Sequence, residues 1–402
     1  MNLKETWQRN LAVCLFGSFT TVLAMTLMLP FLPLYVEQLG IKGHAAVVQW
    51  SGLVYGVTFV TAGLVAPLWG YLGDRYGRKS MLLRASFGLS ICVALMGLAT
   101  SIWHLLLLRL LVGLAAGYSS GSTILVAVQT PPQRSGQALG LLASGVMAGN
   151  LAGPLVGGLL PPLIGIRATF HCAAVLILIT FLATVFLVKD VRKPRTESAR
   201  EPLRWSAIRG KDVVVTMLAA GMLLMFANMS IEPIITVYVR GLVHDPAHVT
   251  VVAGMVMSAV ALGSMLSASR LGRLADRCGH ARVIALCLAA AALLLVPQAF
   301  VSAGWQLIVL RLLMGLALGG LLPCITASIR HNVPEHVVGT MLGYALSAQF
   351  VGQFTGPLFG GFVAGHVGMR AVFLTTAVLL FIAAAGVQRV ARRTSGLVSI
   401  PT

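Results

Sequence analysis

Apolar runs of about 20 residues recur along this chain between short polar breaks, and a helix of that length crosses the hydrocarbon of a bilayer. Read this way, the pattern predicts twelve spans at 11–35, 48–71, 81–101, 103–127, 138–162, 166–188, 213–237, 250–271, 281–302, 304–328, 338–364 and 368–390. No stretch shows the alternation over about ten residues that a membrane-barrel strand requires. One long polar interruption, 189–212, falls midway and is rich in Lys, Arg, Asp and Glu. The expectation is an all-α membrane protein with a six-helix bundle at 1–188, a linker at 189–212 and a second six-helix bundle at 213–402. The simplest role for the linker is a solvated basic loop at an anionic membrane face.

The polar and glycine positions repeat. Gly70-x-Leu72-x-Asp74-Arg75-x-Gly77 returns as Gly272-x-Leu274-x-Asp276-Arg277-x-Gly279. Arg109-x-x-x-Gly113-x-x-x-Gly117 returns as Arg311-x-x-x-Gly315-x-x-x-Gly319. Gly149-x-x-x-Gly153-Pro154-Leu155-x-Gly157-Gly158 returns as Gly352-x-x-x-Gly356-Pro357-Leu358-x-Gly360-Gly361. Pro30 with Tyr35-Val36 returns as Pro233 with Tyr238-Val239. The copies stand 202 or 203 residues apart (70 to 272, 153 to 356), so the chain holds two copies of one unit. Duplicated halves in a hydrophobic chain are a signature of secondary transporters.

Composition narrows the choices. Of 402 residues, 57% are hydrophobic and 10% charged, where a soluble domain carries about 25% charged residues. A net charge of +18 would fit a nucleic-acid binder, but most of the Lys and Arg fall on one face of the predicted spans. Only Lys42, Arg167, Arg240 and Arg370 face the other side, with Arg109 and Arg311 inside spans. That asymmetry is the positive-inside rule. It places both termini in the cytoplasm, with the first span expected to be a retained anchor and no nucleic-acid partner. The six cysteines form no Cys-x-x-Cys pair, so no disulfide framework, metal site or cofactor is expected. No Gly-x-x-x-x-Gly-Lys-[Ser/Thr] loop is present, which leaves an electrochemical gradient as the energy source. A membrane enzyme would need clustered carboxylates or histidines at one face, and none stands out.

The candidate chemistry lies in a few positions. In the loop after span two, Gly73 and Gly77 permit a tight turn, while Arg75, Arg78 and Lys79 hold it at the cytoplasmic face. Asp74 is the lone acid there and can pair with arginine or a helix N-terminus in one conformation and release it in another. The second copy is degraded, with His280 and Ala281 at the places of Arg78 and Lys79. Arg109 lies within an apolar span; it faces a cavity or snorkels to the outer interface. Gly113, Gly117 and Gly121 follow at four-residue steps and predict a smooth packing face. Glu232, before Pro233, is the one carboxylate placed inside a span; buried, it is protonatable, whereas a boundary a few residues earlier would leave it wetted at the outer mouth. Asn150, Asn228, Arg311 and Gln349 are candidates for a substrate cavity, and Gln129, Gln298 and Gln353 are further cavity or interhelical groups.

The segment Gly70-x-Leu72-x-Asp74-Arg75-x-Gly77-Arg78-Lys79 resembles the signature loop of the major facilitator superfamily, and the duplicated motifs fall where that family would place them along essentially the whole chain. The resemblance implies twelve helices in two pseudo-symmetric bundles that rock about a substrate site near the midplane. It implies that Asp74 and Asp276, with Gly70, Arg75, Gly77, Arg78, Lys79 and Arg277, form cytoplasmic latches, Asp74 meeting the start of span eleven and Asp276 the start of span five. It links Arg109 to proton movement. Gly149, Gly153, Pro154, Gly157 and Gly158 resemble the antiporter motif of the twelve-span drug:proton antiporter group. The implied function is proton-coupled efflux of small amphipathic compounds, drugs or a secreted metabolite such as a siderophore. Its rival is a proton-coupled uptake symporter of a small solute. The expected partners are a small-molecule substrate, protons and the lipid bilayer, with the chain acting as a monomer.

Overall fold

Prolines and glycines set where each span breaks. The structure is a computed structural model that describes residues 3–189, 210–334 and 337–397. The expected linker therefore lies almost wholly outside the described residues. In chain order the helices are α1 (Leu3–Leu27), α2 (Leu32–Gln38), α3 (His44–Tyr76), α4 (Arg78–Met96), α5 (Ile102–Ala115), α6 (Tyr118–Gln129), α7 (Pro132–Ile164), α8 (Ile166–Leu187), α9 (Lys211–Ile231), α10 (Ile235–Arg240), α11 (Val249–Cys278), α12 (His280–Gln298), α13 (Gly304–Leu318), α14 (Leu321–His331), α15 (Val338–His366) and α16 (Met369–Leu397). The first, fourth, seventh and tenth spans are each broken in two, so the breaks repeat with the sequence. In the first and seventh, three-ten turns at Leu29–Phe31 and Glu232–Ile234 begin beside Pro30 and Pro233, because proline has no N–H for the helical ladder.

Eleven stretches among the described residues are long and apolar enough to cross a membrane. The remaining expected span, α15, is 29 residues long, but glycine, glutamine and threonine dilute its apolar run. Several helices outrun the expected spans: α3 continues to Tyr76 and α7 starts at Pro132.

The described residues form two compact units. One holds 3–43, 53–189 and 244–258; the other holds 44–52, 210–243, 259–334 and 337–397. Each unit thus takes the opening turns of one long helix, α11 or α3, from the other half of the sequence.

Lipid is as apolar as leucine, so helices associate through close backbone packing and interhelical hydrogen bonds. In the first unit the glycine stripe of α7 lies on α1. A Cβ at Gly149 would stand 2.7 Å from the Phe19 carbonyl oxygen, one at Gly153 would stand 2.8 Å from that of Leu23, and one at Gly157 would collide with the backbone of Leu27. The second unit repeats this on α9, where Gly352, Gly356 and Gly360 meet the backbones of Met222, Phe226 and Ser230. Gly158 turns instead to α11, where Thr250 Oγ1 donates to its carbonyl at 2.9 Å. Asn10 ties together three helix ends: its amide donates to Gln129 at 2.6 Å and to the Lys189 carbonyl at 2.8 Å, and its oxygen accepts from the Lys189 amide at 3.0 Å. Gln129 is thereby an interhelical clamp.

The smooth face expected from Gly113, Gly117 and Gly121 does not form. The span breaks at Gly117, whose φ of +116° lies in the left-handed region, where a Cβ would be strained. Gly113 packs against Thr58 and Thr61 of α3, whereas Gly121 belongs to the next helix and meets Leu82.

Candidate functional site

Two arginines are buried at equivalent places in the two units, Arg109 at 2% exposure and Arg311 at 3%. Arginine keeps its charge in proteins and needs compensation in an apolar bundle. Arg109 is compensated by α3: its Nε donates to the Val54 carbonyl at 3.2 Å, and its guanidinium carbon stands 5.4 Å from the centre of the Tyr55 ring. Its Nη2 is buried with no hydrogen-bond partner. This is a packed interior arginine, and the reading of a side chain snorkelling to the interface does not hold.

Arg311 is compensated differently. Its guanidinium carbon stands 5.9 Å from the Phe373 ring, and that ring packs 5.0 Å from Tyr238. Nε and Nη2 are buried without hydrogen-bond partners. Glu232 of the same unit is a carboxylate close enough to interact with it electrostatically. By the repeat, Tyr55 corresponds to Met257 and Glu232 to Leu29. Both arginines thus lie near an aromatic ring, and the second also has an ionisable group, Glu232, within electrostatic reach.

Glu232 is half-buried and opens the three-ten turn after α9. It extends a stripe of α9 through Gly221, Met225 and Asn228, at helical steps on one face. From α15, Gln349 lies over Gly221, and the Gln353 amide donates to the Met225 sulfur at 3.5 Å. Glu232, Asn228, Gln349 and Gln353 are therefore arrayed along the α9–α15 seam of one unit. The equivalent places in the first unit are Leu29, Met25, Val146 and Asn150. At these four positions the polar side chains are concentrated in the second unit. Asn150 stands alone in this respect and is exposed on α7. Arg311, grouped at sequence level with the cavity residues, is packed among helices.

The two loop motifs adopt one turn. Gly77 (φ +93°) joins α3 to α4, and Gly279 (φ +92°) joins α11 to α12. Gly73 sits so close to Arg78 that a Cβ there would be 2.8 Å from its Nη1, and Lys79 donates to the Val185 carbonyl at 2.7 Å. Arg75 is exposed and lies over the ring of Tyr76. Gly70 meets nothing on its Cα side. In the second loop Asp276 is exposed, with its carboxylate 3.5 Å from His280 Nε2, and Arg277 is exposed. The side chain of Asp74 lies outside the described residues.

The sequence matches the family model of the Major Facilitator Superfamily over residues 14–270 and 245–397. The chain belongs to the major facilitator superfamily. It is a multi-pass membrane transporter and not an enzyme. It is 42% identical over 380 residues to the multidrug resistance protein MdtG of Klebsiella pneumoniae strain 342, covering 93% of this chain and 92% of that one. The MdtG of Salmonella typhimurium strain LT2 is 41% identical over 380 residues, covering 93% of this chain and 94% of its own. Among solved structures, the POT family transporter PepTSo has a TM-score of 0.77 at 12% identity, covering 96% of this chain and 98% of that chain. A bacterial homologue of the lysosomal transporter Spinster scores 0.76 at 15% identity, covering 95% and 96%. The nucleoside transporter NupG scores 0.74 at 16% identity, covering 97% and 100%. At such identities these structures establish the fold.

Sequence reasoning missed Arg84, which it counted only as part of the basic face. Its Nη1 and Nη2 each donate at 2.8 Å, to the Leu114 and Ala116 carbonyls that the break at Gly117 sets free. Its guanidinium stacks 3.6 Å over the Trp69 ring. The signal was available: an arginine inside an apolar run, nearly two turns beyond a loop. Tyr55 carried no comparable signal, since nothing in sequence tells which aromatic faces Arg109.

Proposed function

We propose that this transporter exports small amphipathic compounds across the bacterial inner membrane in exchange for protons, by alternating access. The export reading is carried by the kinship with multidrug resistance proteins at 40–42% identity across nearly the whole chain. The antiporter motif adds less, because its repeat in α15 packs in the same way and so serves helix contact in both units. Both termini face the cytoplasm on the positive-inside rule.

Proton coupling rests on Glu232 and Arg311. A carboxylate beside a buried guanidinium compensates it when ionised and abandons it when protonated. Removing one partner of a fully buried pair costs about 3–5 kcal/mol, and less here because Glu232 is half-buried. Protonation therefore changes the energy of this seam, and a conformational change that alters its exposure is linked to proton binding. Arg109, beside the Tyr55 ring and bonded to the Val54 carbonyl, supports the fold of its own unit and tunes this cycle from there. Asn228 and Gln349 offer hydrogen bonds to a bound compound, and the Met225 thioether offers an adaptable apolar contact. Asp74 and Asp276 serve as latches at the cytoplasmic loops.

Transport into inverted vesicles tests the direction. A fluorescent cationic dye accumulates when the vesicle interior is acidified and stops when a protonophore collapses the gradient. Accumulation that requires the opposite gradient would mean uptake by symport.

A further inference from the structure

A groove of about 310 Å³ runs between α12 and α16 on the surface of the second unit. Small side chains form its floor, Ala285 and Ala289 from one helix, Ala384 and Ala385 from the other. Leu286 and Phe381 stand at its sides, 68% and 57% exposed. Both helices are long and apolar enough to cross a membrane, so an exposed leucine and phenylalanine here meet acyl chains. The groove is not apolar along its whole length. Arg282 and Gln388 close one end, and Arg392 follows Gln388 by one helical turn on the same face. Neither α12 nor α16 contains an aspartate or glutamate. This charged end belongs to the face that the positive-inside rule assigns to the cytoplasm.

We propose that the groove is a binding site for one anionic phospholipid of the cytoplasmic leaflet. One acyl chain lies on the alanine floor against Leu286 and Phe381. The phosphodiester meets Arg282 and Arg392, whose guanidinium forks match phosphate oxygens, and Gln388 adds an amide donor. The occupant follows from the shape and charge of the site: a zwitterionic lipid supplies the chain but adds a cation between two arginines, and a soluble phosphate supplies no chain. Basic pockets between membrane helices at the cytoplasmic side are suited to anionic head groups.

The test uses the full chain with a Phe381→Trp reporter, reconstituted in vesicles that contain phosphatidylglycerol or phosphatidylcholine with brominated chains. Quenching of the difference signal between reporter and parent protein reports lipid in the groove. Brominated phosphatidylglycerol is expected to quench at several-fold lower mole fraction than brominated phosphatidylcholine. Arg282→Gln with Arg392→Gln should erase that preference while leaving quenching by either lipid intact. Ala289→Phe, which fills the floor, should reduce quenching by both and covers the case in which the arginine variant fails to fold. Equal quenching by the two lipids in the parent, or a preference that survives loss of both arginines, overturns the proposal. Displacement of the lipid by soluble glycerol phosphate would assign the site to a soluble anion. A reporter insensitive to both lipids would mean that protein covers the groove. Either result also sinks the proposal.

Discussion

Glu232 occupies in the second copy of the repeat the place that Leu29 occupies in the first. Both residues open a three-ten turn at the broken end of an inner helix, and both precede a proline. Leu29 is buried at 2% exposure. Glu232 is half-buried and lies close enough to Arg311 to interact with it electrostatically. The same backbone device thus holds an apolar plug in one unit and an ionisable group in the other.

Replacing the acid should separate fold from coupling. Glu232→Leu restores the first unit's pattern and is expected to insert and purify normally. Proton-driven transport should fall by about tenfold or more, equivalent to roughly 1.4 kcal/mol at the limiting step. The converse change, Leu29→Glu, buries a carboxylate in an apolar site whose equivalent arginine, Arg109, is already engaged with Val54 and Tyr55, and should lower the thermal midpoint in detergent. Normal proton-driven transport by Glu232→Leu would remove this residue from the coupling scheme.

Gly157 should tolerate no side chain. A Cβ there collides with the backbone of Leu27, which cannot give way as a flexible side chain would. Gly157→Ala is expected to part α7 from α1 and abolish transport in correctly inserted protein. Gly140 lies on the same helix with nothing within 4 Å of its Cα side. Gly140→Ala should leave transport intact and stability unchanged or higher by up to about 1 kcal/mol. Equal effects of the two substitutions on vesicle transport would contradict the packing described for this helix.

Arg84 should matter for stability. Its two bonds satisfy carbonyls that the break between α5 and α6 leaves without helical partners. Charged hydrogen bonds of this kind contribute about 1.5–3 kcal/mol each. Arg84→Gln should lower the thermal midpoint by several degrees, and Arg84→Lys should recover only part of it, since an ammonium cannot span two carbonyls and stack on Trp69 as a planar fork does. A midpoint unchanged in Arg84→Gln would show that water serves these carbonyls equally well.

Asp74→Asn keeps shape and removes charge. It should cut transport severely while leaving substrate affinity in detergent near that of the parent protein. Asp276→Asn should be milder, because its loop carries His280 and Ala281 in place of the Arg78–Lys79 pair. Wild-type transport by Asp74→Asn would show that this loop serves topology alone.

The span pattern and the repeat were legible because they rest on apolar periodicity and on glycines spaced for backbone contact. Gly149, Gly153 and Gly157 could be read from spacing, since four-residue glycine steps within one helix let a neighbouring backbone approach closely. Gly117 could not, because the same spacing serves a stripe and a break, and only the positive φ tells them apart. The candidate site was legible one residue at a time. Arg109, Arg311 and Glu232 stood out as charges in apolar runs. That Glu232 comes within electrostatic reach of Arg311, and Arg109 within 5.4 Å of the Tyr55 ring centre, depends on tertiary packing that spacing does not encode. The asymmetry between units becomes visible only when the repeat is aligned and the facing helices are known.

Proton release on substrate binding is the most direct measure of the central claim, that the coupling proton sits on Glu232 in the second unit. Purified protein in lightly buffered detergent, near its half-maximal substrate concentration, should release protons when a cationic substrate is added. Glu232→Gln should release none while Arg109→Gln still does. An unchanged proton count in Glu232→Gln would contradict the claim and place the coupling proton elsewhere.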